Sequence, residues 1–393
     1  MFSAHHSIDL VHSSPRLRQK RSQGNPKKLG VSHHRPMLDA MATKRERTRC
    51  RERLAKLSES HLDGEAMRYE AIGELQRVIG FDRWCWPLAD PETLLPSGGI
   101  AEHDFGPGVP RSLELEYSGN DFAAKHVLAR RVNSVASLSG ETAGDLARSP
   151  RWDEVLGPVG IGDVAAVACR DALGCWGWIE AYRDKSDRPF DEQELELLAD
   201  VGPSMGSALR RKAMGPGDGS VFEPSPPGVI VLDRDLRRLS WTAGARAWID
   251  ALPSAKLFAR FGMLPSVVYP AATLARSKNT AAGAHALLRA VDGRWVMIEA
   301  APLEGHNEGE IAINLRAASA TETFSLLCRT YALSQRERAV VALLVAGLDT
   351  RAVTERLFIS AHTVQDHLKS VFDKIGIHSR RELLAKLSSA DAN

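Results

Sequence analysis

The chain has 393 residues and 44% hydrophobic content, enough for two or three packed domains. Its net charge of +2 excludes a general polycation, so contact with nucleic acid has to come from a local face. Its five cysteines, Cys50, Cys85, Cys169, Cys175 and Cys328, form no CxxC pair, and no apolar run approaches the roughly 18 residues of a membrane span or the core of a signal peptide; a cytoplasmic protein in a reducing interior, without disulfide scaffold or zinc site, is expected.

Residues 1–42 are rich in His, Ser, Pro, Lys and Arg, with a basic run from Arg16 to Arg21 and the pair Lys27-Lys28. Such a segment cannot bury enough apolar surface to order itself. It reads as a disordered tail that touches DNA backbone, or as sequence upstream of a true start at Met37 or Met41. From Thr43 to about Ile79 the pattern is helical, charged early (Lys44, Arg45, Glu46, Arg47) and apolar later (Leu54, Leu57, Met67, Ile72, Leu75), with Gly80 as its stop.

Phe81 to Trp86 reads as a strand, and Asp90-Pro91 as a turn. Residues 96–110 are loop-rich, and helices are expected near Asp121–Ala129 and Arg151–Leu156. The alternating runs Val164–Arg170 and Cys175–Tyr182 flank Asp171-Ala172-Leu173-Gly174 as a hairpin. Asp191 opens a helix that continues to about Arg211, its acids first and its bases last, as the helix dipole favours.

Trp84, Trp86, Trp176 and Trp178 stand at alternate positions on two of these strands, which puts each pair on one face of a sheet. They are candidates for a pocket that stacks a flat or apolar ligand; ordinary core packing explains the same pattern. Cys85, Cys169 and Cys175 nearby admit a thiol sensor, a haem ligand, or buried inert thiols. A leading helix, a central antiparallel sheet and a closing helix over residues 43–213 resemble a GAF-type sensory domain. The segment Pro189-Phe190-Asp191-Glu192-Gln193-Glu194-Leu195 is its most GAF-like part.

Residues 214–227, rich in Gly, Pro and Ser, read as a linker. Gly228–Leu232 and Leu236–Trp241 read as paired strands, followed by a helix with Trp248 and Ile249. Leu287–Val291 and Trp295–Ala300 flank Asp292-Gly293, a strong short hairpin signal, and Ile311–Leu315 is a further strand. This order over residues 228–318 resembles a PAS-type domain. Thr321–Tyr331 is expected as a helix leading into the last unit.

Four short helices follow from punctuation alone. Ser334 and Glu337 form a capping box for the first, whose Val340, Val341, Leu344 and Val345 make one stripe and which Gly347 stops. The second runs from about Thr350 to Leu357, with Phe358 and Ile359 as the turn. Ser360 caps the third, Ala361–Ile375, which ends at Gly376. Ser379 and Glu382 form a capping box for the last, whose Leu383, Leu384 and Leu387 share a face. In the third, Val364, Leu368, Val371 and Ile375 must face a core, while His362, Asp366, Lys369 and Asp373 repeat that spacing on a polar face with Gln365 beside them. A helix of that length, about 22 Å, fits a major groove about 12 Å wide.

At these residues the stretch resembles the DNA-binding domain of LuxR-type transcription regulators. Leu333, Ser334, Arg336 and Glu337 match the family's opening; Leu357, Ile359, Ser360, Thr363, Val364, His367 and Leu368 its centre; Lys374, Gly376, Ile377, Ser379 and Arg380 its end. Gln365 stands where the family's usual lysine would, and Arg351-Ala352-Val353-Thr354 replaces its usual Lys-Glu-Ile-Ala. The resemblance implies that Gln365, Asp366 and Lys369 reach base edges, that Arg351, Ser360 and Thr363 hold phosphates, and that His362 lies on the same DNA-binding face. It also implies dimerisation through the last helix, placing two recognition helices in successive grooves.

No P-loop, GxSxG, HExxH or Rossmann fingerprint occurs, so no enzyme, metal or cofactor is expected. The expected fold is multidomain α+β: GAF-like and PAS-like antiparallel sheet domains over 43–213 and 228–318, then an all-α four-helix LuxR-type helix-turn-helix domain over 319–393. The expected function is a bacterial transcription regulator, homodimeric, controlled through its sensory domains by a small-molecule effector or a protein partner, with double-stranded DNA and RNA polymerase as partners. The alternative is a signalling adaptor whose C-terminal helices bind polymerase or a sigma factor and not DNA.

Overall fold

The computed structural model describes residues 42–102, 105–215, 226–253, 258–259, 261–277, 284–305 and 309–387. The expected tail over 1–42, apart from Ala42, and most of the expected linker lie outside the described residues.

The described residues open with two helices, α1 (Lys44–Ser58) and α2 (Gly64–Ile79), where the sequence pattern was continuous. The break has a local cause. Asp63 takes an extended backbone and its carboxylate accepts the amides of Glu65 and Ala66, so it starts a new helix instead of continuing the old one. Gly80, at φ +69°, ends α2 as expected.

The first sheet follows. Its strands are β1 (Arg83–Ala89), β2 (Pro96–Glu102), β3 (Val135–Ser137), β4 (Ile161–Asp171) and β5 (Gly174–Asp184), all antiparallel in the order β2-β1-β5-β4-β3. The hairpin β4–β5 is the one expected. The strand β2 is not: Gly98-Gly99 has poor strand propensity. It pairs with β1 because the backbone of Trp86 and Pro87 comes so close that a Cβ on Gly99 would lie 2.7 Å from Pro87 Cα. Between the strands run α3 (Val109–Tyr117), α4 (Lys125–Leu128) and α5 (Leu138–Glu141); the helix expected over Arg151–Leu156 is a π turn at Trp152–Leu156.

One face of this sheet is covered by α1, α2 and α6 (Glu192–Lys212), over a core that includes Trp84, Trp86, Trp176, Ile179 and Ala181. Gly206 lets α6 lie directly on β4, since a Cβ there would meet Arg170 N at 2.6 Å. The tryptophans correct the sequence reading. Cys169 pairs with Gly177 but Arg170 pairs with Cys175, so Trp176 is an extra residue in β5. This bulge turns Trp176 to the helix-covered side while Trp178 stays on the opposite side, packed with Ala89, Leu94 and Cys175. That pair does not share a face.

The second sheet comprises β6 (Gly228–Leu232), β7 (Arg238–Trp241), β8 (His285–Arg289), β9 (Trp295–Pro302) and β10 (Ile311–Ala317), with α7 (Ala243–Asp250) and α8 (Val268–Arg276) between β7 and β8. Its order, β7-β6-β10-β9-β8, repeats that of the first sheet strand for strand. Five helices close the described residues: α9 (Ala320–Thr330), α10 (Gln335–Val345), α11 (Thr350–Leu357), α12 (Ala361–Ile375) and α13 (Arg380–Leu387). The fold is thus α+β, two antiparallel five-stranded sheets followed by helices.

The parts are tied by arginines. Arg210 of α6 places Nε 2.7 Å from Asp171 Oδ2 and donates from Nη1 to the carbonyl of Thr330 at 2.8 Å. Arg329 donates to the carbonyl of Leu173 in the β4–β5 turn. Among the described residues, no helix is long and apolar enough to cross a membrane.

Candidate nucleic-acid interface

The helices α10 to α13 form where their caps dictate. Ser334 Oγ accepts the amide of Glu337, and Glu337 returns to accept the amide of Ser334 at 2.6 Å. Gly347 at φ +87° stops α10, and Leu348 N donates to Leu343 O. Asp349 caps α11 through the amide of Ala352, a role the sequence reading did not give it. Ser360 caps α12 through Thr363 N, and Gly376 at φ +74° ends it. For α13 the box is altered: Ser379 Oγ accepts the amide of Glu382, but the Glu382 carboxylate accepts the amide of His378.

The apolar stripe of α12 is sealed. Val364, Leu368, Val371 and Ile375 are buried against Val340, Leu344 and Val353 below and the larger core above. Burial of four such side chains is worth about 1.5–3 kcal/mol each and fixes the helix's rotation about its axis. The rotation is reinforced by Glu337, whose carboxylate receives Lys374 Nζ and Ser370 Oγ from α12. Burial pushes the Glu337 carboxyl up, but Lys374, Ser334 and Ser370 outweigh it and hold it down at about 2. From the sequence Glu337 was legible only as a cap.

With the apolar side pinned, Gln365, Asp366 and Lys369 project from the opposite side, all exposed. His362 is exposed too, its Nε2 3.7 Å from Asp366 Oδ2. Ser360 and Thr363 share a hydroxyl contact of 2.9 Å at the helix start. Arg351, on α11, is 87% exposed and pairs loosely with Glu355. The surface therefore offers one amide, one carboxylate and one ammonium along a single helix face, with hydroxyls at its leading end. Such a set can pair with base edges and phosphates in a groove. One residue was missed: Phe358, in the turn between α11 and α12, is left-handed at φ +54° and 93% exposed.

The other proposed site is placed differently. Trp84, Trp86, Trp176 and Trp178 are all buried in core clusters, and none borders the cavity that opens on the far side of the first sheet. Leu383 and Leu387, which the sequence assigned to one face of the last helix, are buried with Leu326 and Leu327 of α9, and Thr323 Oγ1 donates to Leu387 O; Leu384 is half-buried.

Residues 331–387 match the family described as bacterial regulatory proteins, luxR family. Over this stretch the chain is 36% identical across 55 residues to the spore germination protein GerE of Bacillus subtilis, covering 14% of this chain and 74% of that protein. It is 44% identical across 52 residues to an HTH-type transcriptional regulator of Mycobacterium tuberculosis, covering 13% of this chain. It spans only 6% of that much longer relative. A third similarity, 45% across 51 residues, is to an HTH-type transcriptional regulator of Aeromonas salmonicida, covering 13% of this chain and 26% of that protein. Among solved structures, a bacteriophytochrome of the photosynthetic bacterium R. palustris aligns with 71% of this chain and 64% of its own at a TM-score of 0.30 and 12% identity.

Proposed function

The chain belongs to the luxR family of bacterial regulatory proteins, and on that premise we propose that it is a sequence-specific DNA-binding transcription regulator whose two sheet domains control the helix-turn-helix. The observation that carries this is the division of α12: Val364, Leu368, Val371 and Ile375 are buried while Gln365, Asp366 and Lys369 face outward unobstructed. The recognition helix would lie in a major groove, with Arg351, Ser360 and Thr363 on phosphates and His362 beside them. Such a protein acts in the cytoplasm, where bacterial DNA is. The segments 43–213 and 228–318, with their repeated strand order, are read as GAF-like and PAS-like sensory domains, joined through 214–227.

Two half-sites imply a homodimer, because the helix-turn-helix carries little excess charge of its own. The apolar side of α13 is engaged by α9 in this arrangement. Effector control would therefore act through α9, freeing or holding the dimer-forming helix, and RNA polymerase would be the downstream partner. A gel-shift screen with the protein's own promoter region tests the reading. Specific retention that is lost on replacing Gln365 and Lys369 supports it; retention indifferent to both overturns the assigned face.

A second reading rests on Phe358. A fully exposed aromatic ring in a strained turn suits a protein contact, so the helical end could bind polymerase or a sigma factor without DNA. Loss of all DNA affinity at low salt, with a stable protein complex, would favour that adaptor.

A further inference from the structure

The face of the first sheet turned away from α1, α2 and α6 holds a cavity of about 140 Å³. Its walls are apolar, including Pro87, Ile100, Phe105, Val109 and Leu113, and Met263 from beyond β7 contributes to its rim. Gly98, opposite Leu88 on β2, contributes no side chain; a Cβ there would meet nothing within 4 Å. The floor is different. Lys125 Nζ lies 2.6 Å from Glu116 Oε2 and 2.7 Å from Glu180 Oε2. Arg151 Nη1 reaches Glu180 Oε1 at 3.2 Å, and its Nε sits 2.8 Å from Asp121 Oδ2. Cys85 and Tyr182 also donate to Glu180. These charged side chains are 5% exposed or less.

The wiring narrows what can bind. Two cations face three carboxylates, so the floor carries a net charge of −1 and repels an anion. Both oxygens of Glu116 and of Glu180 already accept donors, which leaves little for an ammonium group. Two donors of Arg151 are buried without a hydrogen-bond acceptor among the described residues: Nε, which meets Asp121 only as an ion pair, and Nη2, which has no ion-pair partner either. A buried unpaired donor is costly to the fold, and a ligand acceptor would recover that cost. A cavity of roughly 150 Å³ accommodates a benzene-sized ring.

We propose that this cavity is the effector site of the regulator, and that it takes a compact, uncharged aromatic carbonyl compound whose ring fills the apolar walls and whose oxygen accepts from Arg151. The proposal deepens the effector-controlled reading above but does not depend on DNA contact. Met263 and Leu113 place the ligand between the two sheet domains, so occupancy would bear on both.

Calorimetric and thermal-shift titrations of the full chain with benzamide, benzoate and benzylamine test it. Benzamide should bind and raise the melting temperature, with benzoate and benzylamine at least tenfold weaker. Val109→Phe, which fills the cavity without touching the charged floor, should abolish benzamide binding while the circular dichroism spectrum stays native. Failure of benzamide to bind at millimolar concentration, equal binding of a charged probe, or indifference to Val109→Phe would each overturn the proposal. Because the readout is binding alone, a chain that takes benzamide but not DNA would sink the DNA reading and leave this one standing.

Discussion

Glu337 and Lys374, thirty-seven positions apart, are joined by both carboxylate oxygens, at 2.8 and 2.7 Å. The same carboxylate accepts the Ser334 amide, so one side chain starts α10 and sets where α12 lies against it. Glu337→Gln should cost about 1–2 kcal/mol at neutral pH, a capping term plus a weakened hydrogen bond. The ion pair itself adds little, since Lys374 remains 37% exposed. The folded carboxyl sits at about 2, below its ordinary 4.5. Its contribution is therefore complete above pH 4.5 and drains away as pH falls toward 2. Thermal melts across that window should fall for the native chain, and less steeply for Glu337→Gln.

The two outward side chains of α12 should separate by kind. Lys369→Ala should relax the preference at its own base pair and, because an ammonium is lost from the groove, also lower the salt slope. Gln365→Ala should cost about 1–3 kcal/mol at one base pair and relax the preference there. Fluorescence anisotropy at several salt concentrations, with a set of single-base operator variants, reads both.

The buried cluster under the cavity is vulnerable to removal of one partner. Lys125→Met leaves Glu116 and Glu180 facing only Arg151 and should lose about 3–5 kcal/mol in urea unfolding. Burial would push the Glu180 carboxyl up, but Lys125 and Arg151 outweigh it and hold it well below its ordinary value. The sign matches that of Glu337: acid, not base, loosens this site.

The thiols should be inert. Burial pushes Cys50 and Cys328 up to about 11, Cys175 to about 12, and Cys85 and Cys169 well above their usual value. At pH 8 iodoacetamide should label almost none of the five in the native chain and all of them in guanidinium. Rapid labelling of one would mark a thiol sensor instead.

Phe358 holds a left-handed backbone that costs a side-chain-bearing residue about 1 kcal/mol. Phe358→Gly should leave stability level or slightly raised in thermal melts. A loss of transcription activation at unchanged DNA affinity would assign the ring to a protein contact.

The helix-turn-helix was legible almost residue by residue because its signals are local. Ser360 and Gly376 bracket α12, and the stripe between them has one period. The hairpins at Asp171–Gly174 and Asp292-Gly293 were legible for the same reason. What was hidden depends on distant partners. Gly98-Gly99 gives no strand signal until β1 lies against it. The bulge at Trp176 exists only in register with Cys169 and Arg170, so alternation alone put the tryptophans together. Lys125, Arg151, Glu116 and Glu180 come from four separate segments, and no local pattern marks any of them as a member of a buried cluster.

Arg210 grips Asp171 at the hairpin end of the first sheet and the last carbonyl of α9 together. It works as a coupling rod. If the β4–β5 tip shifts by an ångström, either a charged hydrogen bond worth about 1.5–3 kcal/mol must snap, or α9 must travel with it and drag the reading head. Cutting that rod with Arg210→Ala ought to leave each half intact while severing the conversation between them.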